Sequence, residues 1–139
     1  MTRRLLLSMA LSLAALALTA SAAPAKLKLF QSPSHNIGCV MAAKYVRCDI
    51  RHHKWPTPPK PPTCDVDYGQ GVAIDTGNHP ANYVCAGDTV LDPQANVLAY
   101  GNRIANHRFR CASKTTGMRC VNRDTKHGFF LSVDEVRLF

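Results

Sequence analysis

The sequence predicts a mainly β fold, a small disulfide-stabilised sandwich or barrel with two hairpins that are each pinned by a cystine. Three observations predict this class. Two cysteines with eight residues between them occur twice, as Cys39 and Cys48 and as Cys111 and Cys120. An apolar residue stands two positions before each of these cysteines, an alternation typical of antiparallel hairpins. No segment after residue 22 keeps an apolar period of 3.6 residues, so long helices are not expected.

Residues 1–22 predict a secretory signal peptide. Two arginines precede an apolar run over Leu5–Leu18, and Ala20-Ser21-Ala22 forms a small-residue cleavage site. The run is shorter than the roughly 20 apolar residues of a membrane span. We place the cleavage after Ala22, with Ala25 as the second choice. Residues 23–139 then form a single disulfide-rich domain without a transmembrane segment, either secreted or retained in the periplasm or cell envelope.

All six cysteines lie in the exported part of the chain. An even number of cysteines in a short exported chain predicts a disulfide framework. Opposed residues of a non-hydrogen-bonded antiparallel pair have Cα atoms about 4.5 Å apart, within reach of a disulfide. This geometry predicts Cys39–Cys48 and Cys111–Cys120, and elimination pairs Cys64 with Cys85. No C-x-x-C or H-x-x-x-H spacing accompanies them, so no metal site and no cofactor are predicted.

The first half of the exported chain predicts one strand, the first hairpin and an irregular crossover. Residues 26–30 alternate and predict the strand, and residues 31–36 form a loop. If Cys39 lies opposite Cys48, one face of the hairpin is wholly apolar, with Ile37, Met41, Val46 and Ile50 beside the cystine. Residues 51–63 contain five prolines, which predict an extended crossover between sheet regions, held by Trp55 and Cys64.

The second half predicts further short strands around the second hairpin. They are expected at residues 71–75, 83–86, 96–100 and 128–131. The hairpin spans about 107–123 and turns at 115–117. Ser132 and Glu135 have the spacing of a capping box, so a helical turn is expected near the end of the chain.

Charge is segregated along the chain. Residues 23–60 contain seven Lys or Arg and one acid, and residues 103–127 contain seven Lys or Arg and one acid. Residues 61–102 contain five aspartates and no Lys or Arg. Such blocks indicate either an anionic partner or segments that neutralise one another in the fold.

The second hairpin carries the most concrete functional hypothesis. If Cys111 and Cys120 are opposite, Arg108 faces Arg123, and Arg110 and Arg119 lie on the same outer face. Like charges across a strand pair are destabilising, so either the aspartates of residues 61–102 neutralise these arginines or an anion binds them. The second alternative makes these four arginines candidate ligands for a cell-wall polymer, a glycan, a nucleic acid or a lipid headgroup.

Several segments together resemble a family of small exported bacterial proteins, best represented in actinobacteria, whose function is unknown. The matching segments are Phe30-Gln-Ser-Pro-Ser-His-Asn-Ile-Gly-Cys39, Val46-Arg-Cys-Asp49, Trp55-Pro56, Tyr68-Gly69, Leu98-Ala-Tyr-Gly101, Met118-Arg-Cys-Val-Asn122 and Lys126-His-Gly-Phe129. The family pattern often has Gly where this chain has His35 and Trp where it has Tyr68. The resemblance implies export, paired cysteines and β architecture, and it implies no catalytic residue.

The sequence therefore favours an exported, non-enzymatic binding protein. Its partner is expected to be an anionic polymer or an envelope protein. The first alternative is a protein-partner module, such as an inhibitor of a secreted hydrolase, which contacts its partner through loops 31–36, 76–81 and 113–117. The second is a small secreted ribonuclease that uses His107 and His127 as base and acid beside Lys126. The adjacent His52 and His53 point to opposite sides of an extended chain, which argues against chelation.

Overall fold

A computed structural model describes residues 26–139, and the predicted signal peptide lies outside the described residues. Eleven strands form two sheets. The first sheet contains β1 (Lys28–Gln31), β2 (Ile37–Met41), β3 (Tyr45–Ile50), β4 (Tyr68–Asp75), β5 (Asn82–Cys85) and β6 (Asn96–Val97). The second contains β7 (Arg103–Ala105), β8 (Phe109–Lys114), β9 (Gly117–Asn122), β10 (Gly128–Leu131) and β11 (Val136–Leu138).

The two sheets pack face to face as a sandwich, which confirms the predicted class. The first has the strand order β5-β4-β3-β2-β1-β6 and the second the order β11-β10-β9-β8-β7. Neighbouring strands are antiparallel, except for the parallel pair β1 and β6. The core between them contains inward-facing side chains of both sheets, among them Phe30, Ile74, Phe109 and Phe129.

Both predicted hairpins form in the predicted register. Cys39 lies opposite Cys48 in β2 and β3, and Cys111 lies opposite Cys120 in β8 and β9. Their Cα–Cα distances are both 4.1 Å. All four cysteines are fully buried. Each cystine therefore lies on the inner face of its sheet, and every second residue along β8 and β9 points outward.

The proline-rich segment connects β3 and β4, which are neighbouring strands of the first sheet, and Trp55 fastens it to the opposite sheet. The indole Nε1 of Trp55 donates a hydrogen bond to the carbonyl oxygen of Ser132 at 2.9 Å, and the backbone N–H of Lys54 donates to the oxygen of Val133 at 2.8 Å. Cys64, at the end of the segment, is bonded to Cys85. The segment thus holds a turn of the second sheet and, through Cys64–Cys85, the edge strand β5 of the first.

Two sequence expectations for the second half are wrong. The strand expected over residues 96–100 contains only Asn96 and Val97, and the next strand, β7, begins at Arg103. The helical turn expected at Ser132–Glu135 is a tight turn between β10 and β11. The N–H of Glu135 donates to the Ser132 hydroxyl at 3.0 Å, which is the hydrogen bond that a helix cap would also make. The residues that follow pair with β10 instead of continuing a helix.

Candidate functional site

The outer face of the second sheet is basic because β8 and β9 alternate between core and solvent. Arg110 lies between the buried residues Phe109 and Cys111, and Arg119 lies between Met118 and Cys120. Both arginines are exposed. The alternation that buries the cystine therefore also turns the arginines toward solvent.

Strand register brings two further arginines onto this face. Arg103 of β7 pairs with Ala112, and Ala112 pairs with Arg119. On the other side, Arg119 pairs with Phe130, and Phe130 pairs with Arg137 of β11. Arg103, Arg119 and Arg137 therefore lie in one line across all five strands, with an uncharged residue between each two. We call these three residues the arginine row.

Two phenylalanine rings support the guanidinium groups of the arginine row. The Cζ atom of Arg137 lies 4.8 Å from the ring centroid of Phe130, and that of Arg119 lies 4.8 Å from the centroid of Phe139. Gly128 makes the second contact possible, since a Cβ atom there would lie 3.1 Å from the Phe139 ring and would collide with the Cys120 carbonyl oxygen. A stacked guanidinium is attracted to the ring and keeps its N–H groups at its edge.

Beside the arginine row lies an open cavity of about 520 Å³. Its lining includes Arg110, Arg119, Arg123 and Lys126, with His107 and one acid, Asp124. Three of the four predicted arginines therefore share one cavity. The fourth, Arg108, borders a different cavity, and its Nη1 atom lies 3.4 Å from Oδ2 of Asp124.

Most basic residues of the second sheet and its loops make no ion pair within the described chain. Residues 103–139 contain three acids, Asp124, Asp134 and Glu135. These pair with Arg108, Lys54 and Arg137, respectively. Six basic side chains of the same segment are left without an acidic partner among residues 26–139, namely Arg103, Arg110, Lys114, Arg119, Arg123 and Lys126.

Part of the aspartate-rich segment 61–102 packs on the first sheet, away from the arginines of the second. Asp49 is 2% exposed and receives hydrogen bonds from Arg47 Nε at 2.9 Å and Nη2 at 2.8 Å. The Thr89 hydroxyl and the Val90 N–H also donate to Asp49, at 2.9 Å and 3.0 Å. Asp88 pairs with Arg47 at 2.9 Å. Segment 86–92 therefore lies over the outer face of the first sheet, and none of the five aspartates of residues 61–102 pairs with an arginine of the second sheet.

The Arg47 cluster shifts the pKa values of its members. Burial acts to lower the pKa of Arg47, but the hydrogen bonds and charges of Asp49 and Asp88 outweigh it, and the net shift is upward. The hydrogen bond from Arg47, followed by its charge, lowers the pKa of Asp88. Both shifts favour the ionised pair, so this cluster holds segment 86–92 in place at neutral pH.

One of the two histidines expected for a ribonuclease lines the cavity. His107 lines the cavity of Arg110 and Arg123, but His127 is not part of that lining. Among residues 26–139 there is also no group of three or more His, Cys, Asp or Glu side chains that could hold a metal ion. The lining of the cavity is therefore mainly cationic and includes one of the two histidines.

A family model of unknown function matches residues 6–139. The chain belongs to the family DUF6636. No curated protein and no solved structure matches it. Within residues 26–139, no helix is long and apolar enough to cross a membrane.

For this DUF6636 protein, sequence reasoning found the centre of the cationic face and missed its ends. Arg103 and Arg137 lie on β7 and β11, the two strands that were not predicted. The alternation in Arg103-Ile104-Ala105 and in Val136-Arg137-Leu138 was a signal, but each strand has only three residues. No pattern in the sequence indicated that Phe139 contacts Arg119.

Proposed function

We propose that this DUF6636 protein is an exported, non-enzymatic binding protein that holds anionic polymers on the outer face of its second sheet. Export rests on the signal-peptide features of residues 1–22 and agrees with three disulfides and no free cysteine in the described chain. Binding rests on the cationic face, which is uncovered, rigidly supported and poor in acids.

The position of the acidic segment carries the proposal. Had the aspartates of residues 61–102 covered Arg110, Arg119 and Arg123, internal neutralisation would account for the cluster. Asp88 pairs instead with Arg47, and Asp75, at the end of β4, pairs with His79; none of the five aspartates pairs with an arginine of the second sheet. The second sheet thus keeps several like charges around one cavity of about 520 Å³, an arrangement that an anion stabilises.

The test is a binding titration of the oxidised protein, lacking residues 1–22, against dextran sulfate and labelled RNA over a salt series. We expect affinity to fall as salt rises, because neutralised polymer charges release their counterions. The charge reversal Arg110→Glu with Arg123→Glu should abolish most of this binding. The same RNA samples are analysed for length, and intact RNA is expected.

The matched control is Lys44→Glu with Lys60→Glu, which changes net charge equally at exposed positions of the first half of the chain. It should retain most of the affinity. Equal loss in both double variants would mean that net charge alone attracts the polymer, and this would overturn the assignment to the second sheet. Shortened RNA, restored to full length by His107→Ala, would favour the ribonuclease alternative.

A second candidate function is the binding of a protein partner, and one observation favours it. Loops 31–36 and 113–117, two of the three predicted contact loops, border a common cavity of about 690 Å³ together with residues 132–135. We expect Thr116→Trp, which fills this cavity, to prevent capture of a saturable partner from culture medium. Arg110→Glu should leave such capture unchanged. The opposite pattern would assign the captured partner to the cationic face.

A further inference from the structure

We propose that the anionic polymer is an acidic polysaccharide with one carboxylate per disaccharide, which lies across the strands of the second sheet along the arginine row. This inference rests on the proposed function and specifies its ligand. It assigns the carboxylate contacts to Arg103, Arg119 and Arg137, of which only Arg119 lines the cavity of about 520 Å³.

The spacing of the arginine row is the first argument. Arg103, Arg119 and Arg137 occupy the first, third and fifth strands of the sheet. Neighbouring strands lie about 4.8 Å apart, so the Cα atoms of these arginines recur about every 10 Å along a line perpendicular to the strands. A disaccharide of an extended polysaccharide has a similar length, so successive carboxylates can meet successive arginines.

The residues between the arginines are the second argument. Ala112 and Phe130 occupy the second and fourth strands of the same line, and neither carries a charge. A polymer with a charge on every unit would place a charge over Ala112, between Arg103 and Arg119, whereas over Phe130 it would meet the Arg137 guanidinium, whose Cζ atom lies 4.8 Å from the ring centroid. Duplex DNA carries one charge about every 1.7 Å of its axis, so its charge density is much higher than that of the arginine row. A chain that alternates charged and uncharged sugars matches the pattern strand by strand.

The support of the guanidinium groups is the third argument. Phe139 and Phe130 stack on Arg119 and Arg137 at 4.8 Å, which restricts these side chains before a ligand binds. Binding then costs less side-chain entropy. The planar guanidinium presents paired N–H groups that match the two oxygens of a carboxylate.

Arg137 already contacts a carboxylate in the structure. Its Nε atom lies 3.5 Å from Oε2 of Glu135, and both side chains are more than half exposed. An exposed pair of this kind contributes little to stability. A polymer carboxylate can therefore bind the terminal nitrogens of Arg137, or displace Glu135, at small cost.

The test compares hyaluronate, which has one carboxylate per disaccharide, with polygalacturonate, which has one per sugar, and with poly(dT). The oxidised protein should bind hyaluronate at least as tightly as polygalacturonate despite the lower charge density. A hyaluronate hexasaccharide, long enough to reach all three arginines, should bind more tightly than a disaccharide. Arg103→Ala and Arg137→Ala should each weaken hyaluronate binding roughly two- to five-fold.

Lys44→Ala is the matched control, because Lys44 is an exposed cation between β2 and β3 and belongs neither to the cavity lining nor to the arginine row. It should leave hyaluronate affinity within two-fold. Arg123→Ala, which removes a cation of the cavity outside the arginine row, is measured beside it. Arg103 makes no ion pair in the described chain, so Arg103→Ala tests the row without disturbing folding, which its unchanged melting temperature should verify.

The outcomes separate this inference from the proposed function. If hyaluronate binding is lost in Arg123→Ala and kept in Arg103→Ala and Arg137→Ala, the polymer lies in the cavity and the row is overturned, while polyanion binding stands. If polygalacturonate binds more tightly than hyaluronate, the assignment of one carboxylate per disaccharide is overturned, and if poly(dT) binds more tightly than both, the polysaccharide assignment is overturned. If none of the polymers binds, both the proposed function and this inference are overturned.

Discussion

The Sγ atom of Cys48 lies 3.9 Å from the Sγ atom of Cys120, although the two residues belong to different disulfides in different sheets. The two hairpin cystines therefore touch at the centre of the sandwich. Both are fully buried, so they act as packed apolar groups as well as covalent links. Their contact is one of the points at which the inner faces of the sheets meet.

We expect the hairpin cystines to contribute more to stability than Cys64–Cys85. Chain entropy alone predicts the reverse, because the separation of 21 residues exceeds that of 9 residues and favours the longer loop by about 0.8 kcal/mol. Packing outweighs this difference, since replacing a hairpin cystine by two alanines also leaves a cavity in the core.

Urea unfolding of the three double-alanine variants measures this order. The Cys39→Ala/Cys48→Ala variant should lose about 3–5 kcal/mol, and the Cys64→Ala/Cys85→Ala variant about 2–3 kcal/mol. Cys64 is buried but Cys85 is exposed, so their replacement leaves less empty space than that of a fully buried pair. A Cys64→Ala/Cys85→Ala variant less stable than both hairpin variants would contradict the packing argument.

Gly71→Ala should release segment 86–92 from the first sheet. Gly71 lies directly opposite Asp49, and a Cβ atom there would collide with Oδ1 of Asp49 and lie 2.9 Å from the Cys48 carbonyl oxygen. The carboxylate must move away from Arg47 and Val90, which should cost about 3 kcal/mol or more. Thermal unfolding and hydrogen exchange at Val90 measure the effect.

Gly87→Ala is the matched control for that substitution. Its Cβ atom would approach only Val66, at 3.6 Å, which is ordinary contact. We expect a change in stability within about 0.5 kcal/mol. If both alanine variants are equally stable, the close approach of Gly71 to Asp49 is not a constraint on the fold.

Asp88 should contribute stability that is lost only in acid. The hydrogen bond and charge of Arg47 lower its pKa from the ordinary value of 3.8. The folded state therefore binds fewer protons than the unfolded state below that value, and the contribution, full above pH 3.8, declines as the pH falls through the folded pKa. The effect is small and salt-sensitive because Asp88 is exposed.

Asp88→Asn tests this dependence in urea unfolding at a series of acidic pH values. The variant should be less stable than the parent protein above pH 3.8 and should approach it in stronger acid. Carboxyl NMR of the parent should give a pKa below 3.8 for Asp88, raised by Arg47→Lys. Parallel stability curves for the two proteins would refute the proposed coupling.

Phe139→Ala should weaken polyanion binding without changing net charge. The Phe139 ring supports the Arg119 guanidinium at 4.8 Å, and an exposed contact of this kind corresponds to roughly a two- to five-fold change in affinity. Tyr45→Ala removes an exposed aromatic ring from the first sheet and should leave affinity unchanged. Equal effects of the two substitutions would show that Arg119 needs no aromatic support.

The two hairpins could be predicted because each cysteine pair fixes which residues of its two strands lie opposite each other. Once Cys111 is opposite Cys120, the alternation of side chains along the strands decides which of them face the core. It places Arg110 and Arg119 on the outer face. The position of Arg108 beside Asp124 could not be found in this way, because it depends on the path of loops after β9 rather than on strand pairing.

The arginine row could not be predicted because its members come from strands that are distant in sequence. Arg103 lies in a three-residue edge strand. Arg137 lies in the strand after a turn whose Ser132–Glu135 hydrogen bond resembles that of a helix cap. The local pattern at Ser132 fits either structure, and only pairing with β10 decides between them. Nor did the sequence indicate that segment 86–92 packs on the first sheet.

The packing of segment 86–92 on one sheet gives the molecule an electric polarity. Residues 26–102, which form the first sheet, carry seven Lys or Arg and six acids, whereas residues 103–139, which form the second, carry eight Lys or Arg and three acids. This unequal distribution of charge is a permanent dipole moment perpendicular to the sandwich. In the field of a negatively charged surface the protein experiences a torque that turns the second sheet forward, so encounters are oriented before any contact forms.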